Sequence, residues 1–344
     1  MEIGKSSRKS LHLHEEIIEE EILPRLSVKS LLRVRCVSKS WGSLIGSKRF
    51  IKRHHQNSKK NPCFLQQSVI IDTYLGEWPH RTLKIVGCCN GLLCILEEEE
   101  EKEEERIRIQ LWNPSTRISK KLPEISNPGF IQKFGFGWVE SSDEYKVFVS
   151  VFGFHDSQGI GKVYSSKTKS WKTIEMCPYL HSSWSRGVFA GGKLYWKSGL
   201  VKLIICLDLK SEVFGRIEFP LDQEYYGGTV GVLGGFLCVL CDNYKIGFRV
   251  WVMKESWERV ATFAHLVELL QPAPLVVGLK GEILVNCGSF VVVYYCRDNV
   301  FRDPKLFCEA SCACQDIRFR NYEDCARSIS YEVYAESLVS PKDL

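Results

Sequence analysis

Apolar positions along the first sixty residues recur at helical spacing, and along the rest of the chain at strand spacing. Leu31, Val34, Val37, Trp41 and Leu44 follow one another at steps of three, three, four and three, the period of one helix face. Lys29, Arg33, Arg35 and Lys39 mostly fall off that stripe. Ile18, Ile22 and Leu26 form an earlier stripe with Glu15 and Glu16 in its first turn, and Ser27 and Ser38 stand where N-caps would begin helices. The pattern predicts two or three short helices within about forty-five residues, a size at which a lone core is marginal without a partner. Beyond about Asn61 the pattern becomes short runs of Val, Ile, Phe, Tyr and Trp separated by Gly, Asn, Asp and Ser, which predicts an all-β region. The run Glu97 to Glu105, broken only by Lys102, repels itself at that density and is expected as an exposed hairpin loop.

The β region repeats. A glycine followed by an apolar strand occurs at Gly91, Gly192, Gly235 and Gly281, separated by 101, 43 and 46 residues, and the first gap spans two periods with Glu144-Tyr-Lys-Val near its middle. A second landmark, an aromatic or Leu leading into a polar turn, starts at Trp112, Tyr164, Leu207, Trp251 and Tyr294, at spacings of 52, 43, 44 and 43. Two landmarks sharing a period of roughly 45 residues fit blades of about four strands each, and residues 61 to 344 then make about six. The polar turns join an inner to an outer strand, and the glycines allow tight crossing between blades. A propeller hides its edges only if the last blade is completed from both chain ends; Tyr331–Leu338 and Phe64–Ile71 are the expected pair. An open two-sheet sandwich is the alternative.

Charge and cysteine content narrow the function. The chain of 344 residues carries a net charge of +5, unevenly placed: residues 1 to 60 hold fourteen Lys or Arg against six Glu. The basic group Lys48, Arg49, Lys52, Arg53, Lys59 and Lys60 lacks an aromatic stacking pattern, so a solvated linker face is favoured over nucleic-acid binding. No N-terminal signal and no apolar run of membrane-spanning length is seen, and a cytoplasmic or nuclear location is expected. The fifteen cysteines, with Cys206, Cys238 and Cys296 inside apolar runs, are expected as reduced thiols acting mostly as small core residues.

Candidate chemistry is sparse. Cys308, Cys312 and Cys314, with Cys325 beyond, are the one group with metal-like spacing, but no CxxC pair repeats, and unpaired loop thiols are expected rather than zinc. Gly135-Phe-Gly137 lacks the third glycine of a dinucleotide motif and is expected as strand and turn. His54 and His55 sit among lysines and are expected on a linker surface. No catalytic, metal or cofactor-binding residue is assigned. Trp138, Trp184, Tyr225 and Tyr226 are either core or anchors for a bound protein.

The segment RLSVKSLLRVRCVSKSW, followed by LI and Phe50, resembles the F-box of the large plant F-box family. GCCNGLLCI at 87 to 95, LWNPSTR at 111 to 117, FGFGW at 134 to 138, DEYKV at 143 to 147 and YEVYAESLVSP at 331 to 341 resemble the F-box-associated domain of the same family. The glycine doublets at 191–192 and 234–235, with Tyr195-Trp196 after the first, resemble degenerate kelch repeats. The resemblance implies a mainly β protein: a helical F-box over residues 10–55, then a kelch-like β-propeller of about six blades over 61–344. It further implies a non-catalytic substrate-recognition subunit of an SCF-type ubiquitin ligase, with a Skp-type adaptor, a cullin reached through it, and an unknown protein target as partners. Leu13, His14, Ile17, Ile18, Leu31, Val34, Val37 and Trp41 are the adaptor-side candidates, and Trp184, Tyr225 and Tyr226 the target-side ones. The segment departs from the family pattern in three ways: His14 stands where proline is usual, Pro24 and Ser27 replace the usual small residue and proline, and the first helix carries one extra residue among Glu19, Glu20 and Glu21. An inserted residue rotates a helix by about 100°, which would put Leu13 and His14 out of phase. An interaction protein with weakened ligase docking, or a propeller enzyme, are the alternatives.

Overall fold

A computed structural model describes residues 15–59, 63–66, 81–99, 107–125, 130–152, 159–180, 185–198, 202–220, 227–243, 247–263, 273–277, 282–286, 291–295, 300–302 and 331–344. The helical module opens with one α-turn, α1 (Glu15–Ile17), then a π-helical turn (Ile18–Ile22) and a 3-10 turn (Leu23–Arg25). Helices α2 (Val28–Val34), α3 (Lys39–Gly46) and α4 (Lys48–Ser58) follow. Each has a serine at its N-cap whose hydroxyl accepts a backbone N–H three residues on: Ser27 from Ser30, Ser38 from Trp41, Ser47 from Phe50. The stripe from Leu31 to Leu44 is therefore split between two helices. Val37 lies in the turn between them and is 66 % exposed, because Ser38 restarts the helix and breaks the phase.

The β region begins with β1 (Cys63–Gln66). Blade I is β2 (Arg81–Cys89), β3 (Leu92–Glu99), β4 (Ile107–Asn113) and β5 (Ile118–Lys121). Blade II is β6 (Phe130–Val139), β7 (Glu144–Phe152), β8 (Ile160–Ser165) and β9 (Ser170–Ile174), with a short β10 (Ser185–Arg186) parallel to β6. Blade III is β11 (Val188–Ala190), β12 (Lys193–Lys197), β13 (Leu203–Asp208) and β14 (Val213–Glu218). Blade IV is β15 (Gly227–Leu233), β16 (Phe236–Asn243), β17 (Gly247–Met253) and β18 (Trp257–Phe263). Blade V is β19 (Ala273–Val277), β20 (Glu282–Asn286), β21 (Val291–Tyr295) and β22 (Val300–Arg302), and β23 (Tyr331–Tyr334) ends the series. Each blade is an antiparallel meander, and the first strands touch in succession from β2 through β6, β11 and β15 to β19.

Strand β1 pairs antiparallel with β23, Phe64 opposite Val333, so the expected partnership of the two chain ends is present over these residues. Among the described residues the pair forms a two-stranded sheet of its own after the five blades, where a last blade built from both chain ends was expected. Residues 67–71 lie outside the described set, and the chain after Tyr334 leaves the strand to reach the helical module.

Apolar clusters fill the wedges between blades, as stacking of small units requires. Phe134 and Phe136 of β6 are buried against blade I, while Gly135 and Gly137 face the other way: a Cβ on Gly135 would lie 2.7 Å from Leu194 and one on Gly137 2.3 Å from Phe189, both of blade III. The FGFGW segment is thus a strand whose glycines admit the next blade. Lys146 of β7, nearly buried, reaches Glu212 of blade III at 2.8 Å, and Lys172 binds the same carboxylate at 2.6 Å. Burial opposes ionisation of Glu212, yet the hydrogen bonds and charges of the two lysines hold its pKa below the ordinary carboxylate value. Cys206 and Cys238 are buried free thiols; burial pushes both pKa values up and keeps them protonated. Cys296, Cys308, Cys312, Cys314 and Cys325 lie outside the described residues.

The acidic run behaves differently from a loop at its start. Glu97, Glu98 and Glu99 extend β3, with Glu97 opposite Arg108 and Glu98 opposite Ile107. The Glu97 side chain is buried and accepts a hydrogen bond from Gln110 Nε2, so cross-strand pairing overrides the charge density there. Residues 100–106 lie outside the described set.

Candidate functional site

The module closes around Leu23, Val28, Leu31, Ile45 and Phe50, all buried. Of the adaptor-side candidates, Leu31 belongs to this core, while Ile18, Val34 and Trp41 are half-buried against it. Ile17 and Val37 stand out of it, 47 % and 66 % exposed, and Ile22, which sequence reasoning placed only on a stripe, is 39 % exposed. Leu13 and His14 lie outside the described residues. The extra residue of the first helix has a visible outlet: Leu23 N–H donates to Ile18 O, five residues back, and this π turn takes up about one residue more than an α-turn. The π turn falls on the glutamates where the extra residue stands, and the phase of Leu13 and His14 lies outside the described residues.

The same core is completed by the far end of the chain. Leu338 is buried among the module's side chains, and Val28 N–H donates to Glu336 Oε2 at 2.9 Å, where the carboxylate meets the N-terminus of α2. His54 Nε2 donates to Leu26 O at 2.8 Å and His55 Nδ1 to Glu336 O at 3.2 Å, since a carbonyl can only accept. Both rings are buried, 2 % and 6 % exposed, contrary to the linker-surface expectation. The amphipathic α4 turns Phe50, His54 and His55 inward and its basic residues outward. Burial, with Lys59 nearby, lowers the His55 pKa to about 4, so the ring is neutral at pH 7.

The terminal segment is locked to blade I from its other side. Asn113 Nδ2 donates to Ser337 O at 2.8 Å and to Val339 O at 2.7 Å, while its Oδ1 accepts from Ser115 N–H at 2.9 Å and from the Tyr334 hydroxyl at 3.2 Å. The Asn of the LWNPSTR segment therefore does more than shape a turn; it clamps residues 334–339, a role its local spacing does not announce. Gly91, at φ +73°, makes the passage possible, because a Cβ there would come within 2.3 Å of Ser337 Cβ.

Helix α4 adds direct contacts with the blade turns. Lys59 Nζ donates to Asn90 Oδ1 at 3.2 Å, Lys48 lies 3.8 Å from Asp143, and Lys52 sits 5.8 Å over the ring of Trp138. Trp138 is half-buried, its indole N–H donating to Asp143 at 3.3 Å. The basic segment read as a linker face is thus the module's seat on blades I and II. Trp184, Tyr225 and Tyr226 lie outside the described residues. Among those residues no group of three His, Cys, Asp or Glu is placed to hold a metal ion, and no helix is long and apolar enough to cross a membrane.

Comparison with known proteins places both parts. Residues 16–53 match the family model of the F-box domain, and residues 47–341 match that of the F-box associated beta propeller domain. An F-box/kelch-repeat protein of Arabidopsis thaliana is 28 % identical over 94 % of this chain and 95 % of its own length. The F-box protein CPR1 of the same plant is 30 % identical over 94 % of this chain and 87 % of its own. A further Arabidopsis thaliana F-box protein is 26 % identical over 82 % of this chain and 88 % of its own.

Proposed function

The chain belongs to the plant F-box proteins that carry an F-box associated beta propeller domain, and we propose that it serves as the target-recognition subunit of an SCF-type ubiquitin ligase. The observation that carries this reading is the division of labour within the helical module. Its core is closed by Leu338 and its α4 is seated on the β domain, while Ile17, Ile22 and Val37 remain as large exposed apolar side chains. Apolar side chains left outward on a small module whose core is already complete suit a docking surface. A Skp-type adaptor is the partner for that surface, and a cullin is reached through it. The β domain holds a protein target, and catalysis is proximity: a target lysine is kept at high effective concentration near the ubiquitin thioester carried by a partner enzyme. The chain itself contributes no reacting group, and it works in the cytoplasm or the nucleus.

Tethering through Glu336 and His55 matters here, because proximity requires a fixed distance between adaptor and target. The test is capture of a Skp-type adaptor by full-length protein and by Val37→Asp and Ile17→Asp variants. Both residues are exposed, so the thermal midpoint should stay within a few degrees while adaptor affinity falls about tenfold or more, as for loss of an apolar anchor. Wild-type protein that captures no adaptor at micromolar concentration would sink the reading.

A further inference from the structure

Two of the blades are tied to their predecessors by an indole. In blade II, Trp171, second residue of β9, packs into the wedge with blade I and donates its Nε1–H to Pro123 O at 2.7 Å, just beyond the end of β5. In blade IV, Trp257 opens β18, whose preceding turn is one residue shorter, and donates to Glu218 O at 2.9 Å, at the end of β14. Both side chains lie half-buried against the cluster shared with the preceding blade. Blade III has Phe214 at the position Trp171 holds in blade II, opposite Leu207 as Trp171 is opposite Tyr164. Phe214 packs in the wedge with blade II, edge-on to Phe148 at 5.8 Å between centroids, but it has no N–H to give.

A cavity of about 590 Å³ opens at this wedge. Glu175, Met176 and Cys177, the stretch leaving β9, line one side, and Val213, Phe214 and Arg216 line the other. This stretch follows β9 as Pro123 follows β5, the place where a neighbouring indole finds its carbonyl. The volume exceeds the difference between a phenyl ring and an indole several-fold, so a second aromatic side chain fits beside Phe214. Strand β14 is the outer strand of its sheet. Because Phe219 N–H donates to Lys202 O, the residues in phase with it, Val213, Gly215 and Ile217, turn their backbone groups towards β13, and those of Phe214 and Arg216 point away.

We propose that the wedge between blades II and III is a docking pocket for the indole of a tryptophan side chain in the target protein, carried on an extended segment laid along β14. Met176, Pro178 and Phe214 meet the ring beside the lysine-paired Glu212, a carbonyl of Glu175 or Met176 accepts the indole N–H, and the outward N–H and C=O of Phe214 and Arg216 receive the segment's main chain. The site is the one wedge among II, III and IV whose own repeat does not supply the group that closes it. This pocket rests on the target-receptor reading for its biological occupant, although binding of a probe does not depend on the ligase.

The test uses the full-length chain and N-acetyltryptophanamide as probe, with binding read by saturation-transfer NMR. Millimolar binding is expected, with N-acetylphenylalaninamide about threefold or more weaker for want of the hydrogen bond. Phe214→Trp places the resident indole of the neighbouring blades in the wedge and should weaken the probe about tenfold. Val213→Arg, at a residue 62 % exposed on the rim, should weaken it as well without lowering the thermal midpoint, and decides the matter if the first variant folds poorly. No binding to wild type, equal binding of the phenyl compound, or full binding by the Val213→Arg protein would each overturn the assignment. Adaptor capture reports on the ligase reading separately, so either can fail alone.

Discussion

Glu97 needs its partner more than its position in a run of glutamates suggests. The residue is 4 % exposed and its carboxylate accepts from Nε2 of Gln110, a residue 2 % exposed, so the pair is held away from water. Replacing Glu97 by Ala should cost about 1–3 kcal/mol, the usual result of leaving a buried amide unsatisfied, whereas Glu97→Gln should cost less because an acceptor remains. Urea midpoints of the two variants check this, and equal midpoints for wild type and Glu97→Ala would show that the carboxylate is dispensable. From the sequence, charge density alone marks this stretch, and it argues for a loop. What decides the outcome is a diagonal neighbour on β4, two strand positions along, which only the pairing reveals. Asn113 and His55 went unread for the same reason: their partners, at 334–339, lie more than two hundred residues away.

Local signals served better at the level of the helix. Both serines expected as N-caps act as caps, since capping depends on the next three residues alone. The apolar stripe misled across Arg35–Ser38, because a step of three or four continues arithmetically through a turn that the cap at Ser38 enforces. The inward face of α4 was hidden behind its lysines and arginines: Phe50 and His54 share a face at the i, i+4 spacing, but histidine reads as polar until its burial is known. That burial has a pH consequence. At pH 7 His55 is neutral both folded and unfolded. Below about 6.5 the unfolded chain takes up a proton that the folded one refuses until about pH 4, so stability falls across that interval. The contribution is on the order of 3 kcal/mol, converting the interval at 1.36 kcal/mol per pH unit. His55→Gln, which keeps a donor for Glu336 O, should flatten this part of the stability profile. Parallel acid limbs for variant and wild type in chemical unfolding between pH 7 and 4.5 would refute the assignment, since other carboxylates titrate equally in both.

For the molecule as a whole, the repeat was legible because two landmarks kept one period, and among the described residues five four-stranded blades appear where they fell. The fate of the chain ends was only half legible. Complementary strands predicted the pairing of β1 with β23, but the strand pattern of YEVYAESLVSP runs on to Leu338 in sequence while the chain itself turns off after Tyr334. Leu338 enters the helical core, and Asn113 and Gly91 hold the segment between, so one stretch of fourteen residues, 331–344, joins three parts of the protein. Removing residues 335–344 should therefore act mainly on the module, opening its core at Leu338 and freeing Val28 N–H, His55 and Asn113 from their partners. Removing 331–344 should in addition strip β1 of its only strand neighbour among the described residues and leave an exposed edge. Two distinct phenotypes are expected: loss of helical-module protection in hydrogen exchange with β-domain protection retained for the shorter truncation, and aggregation in light scattering for the longer one. If both truncated proteins stay monomeric, with exchange in residues 15–59 as slow as in the full chain, the C-terminal segment is not the link between module and β domain. Adaptor and target would then be joined only through the contacts of α4 with Asn90, Trp138 and Asp143, which are exposed and individually weak.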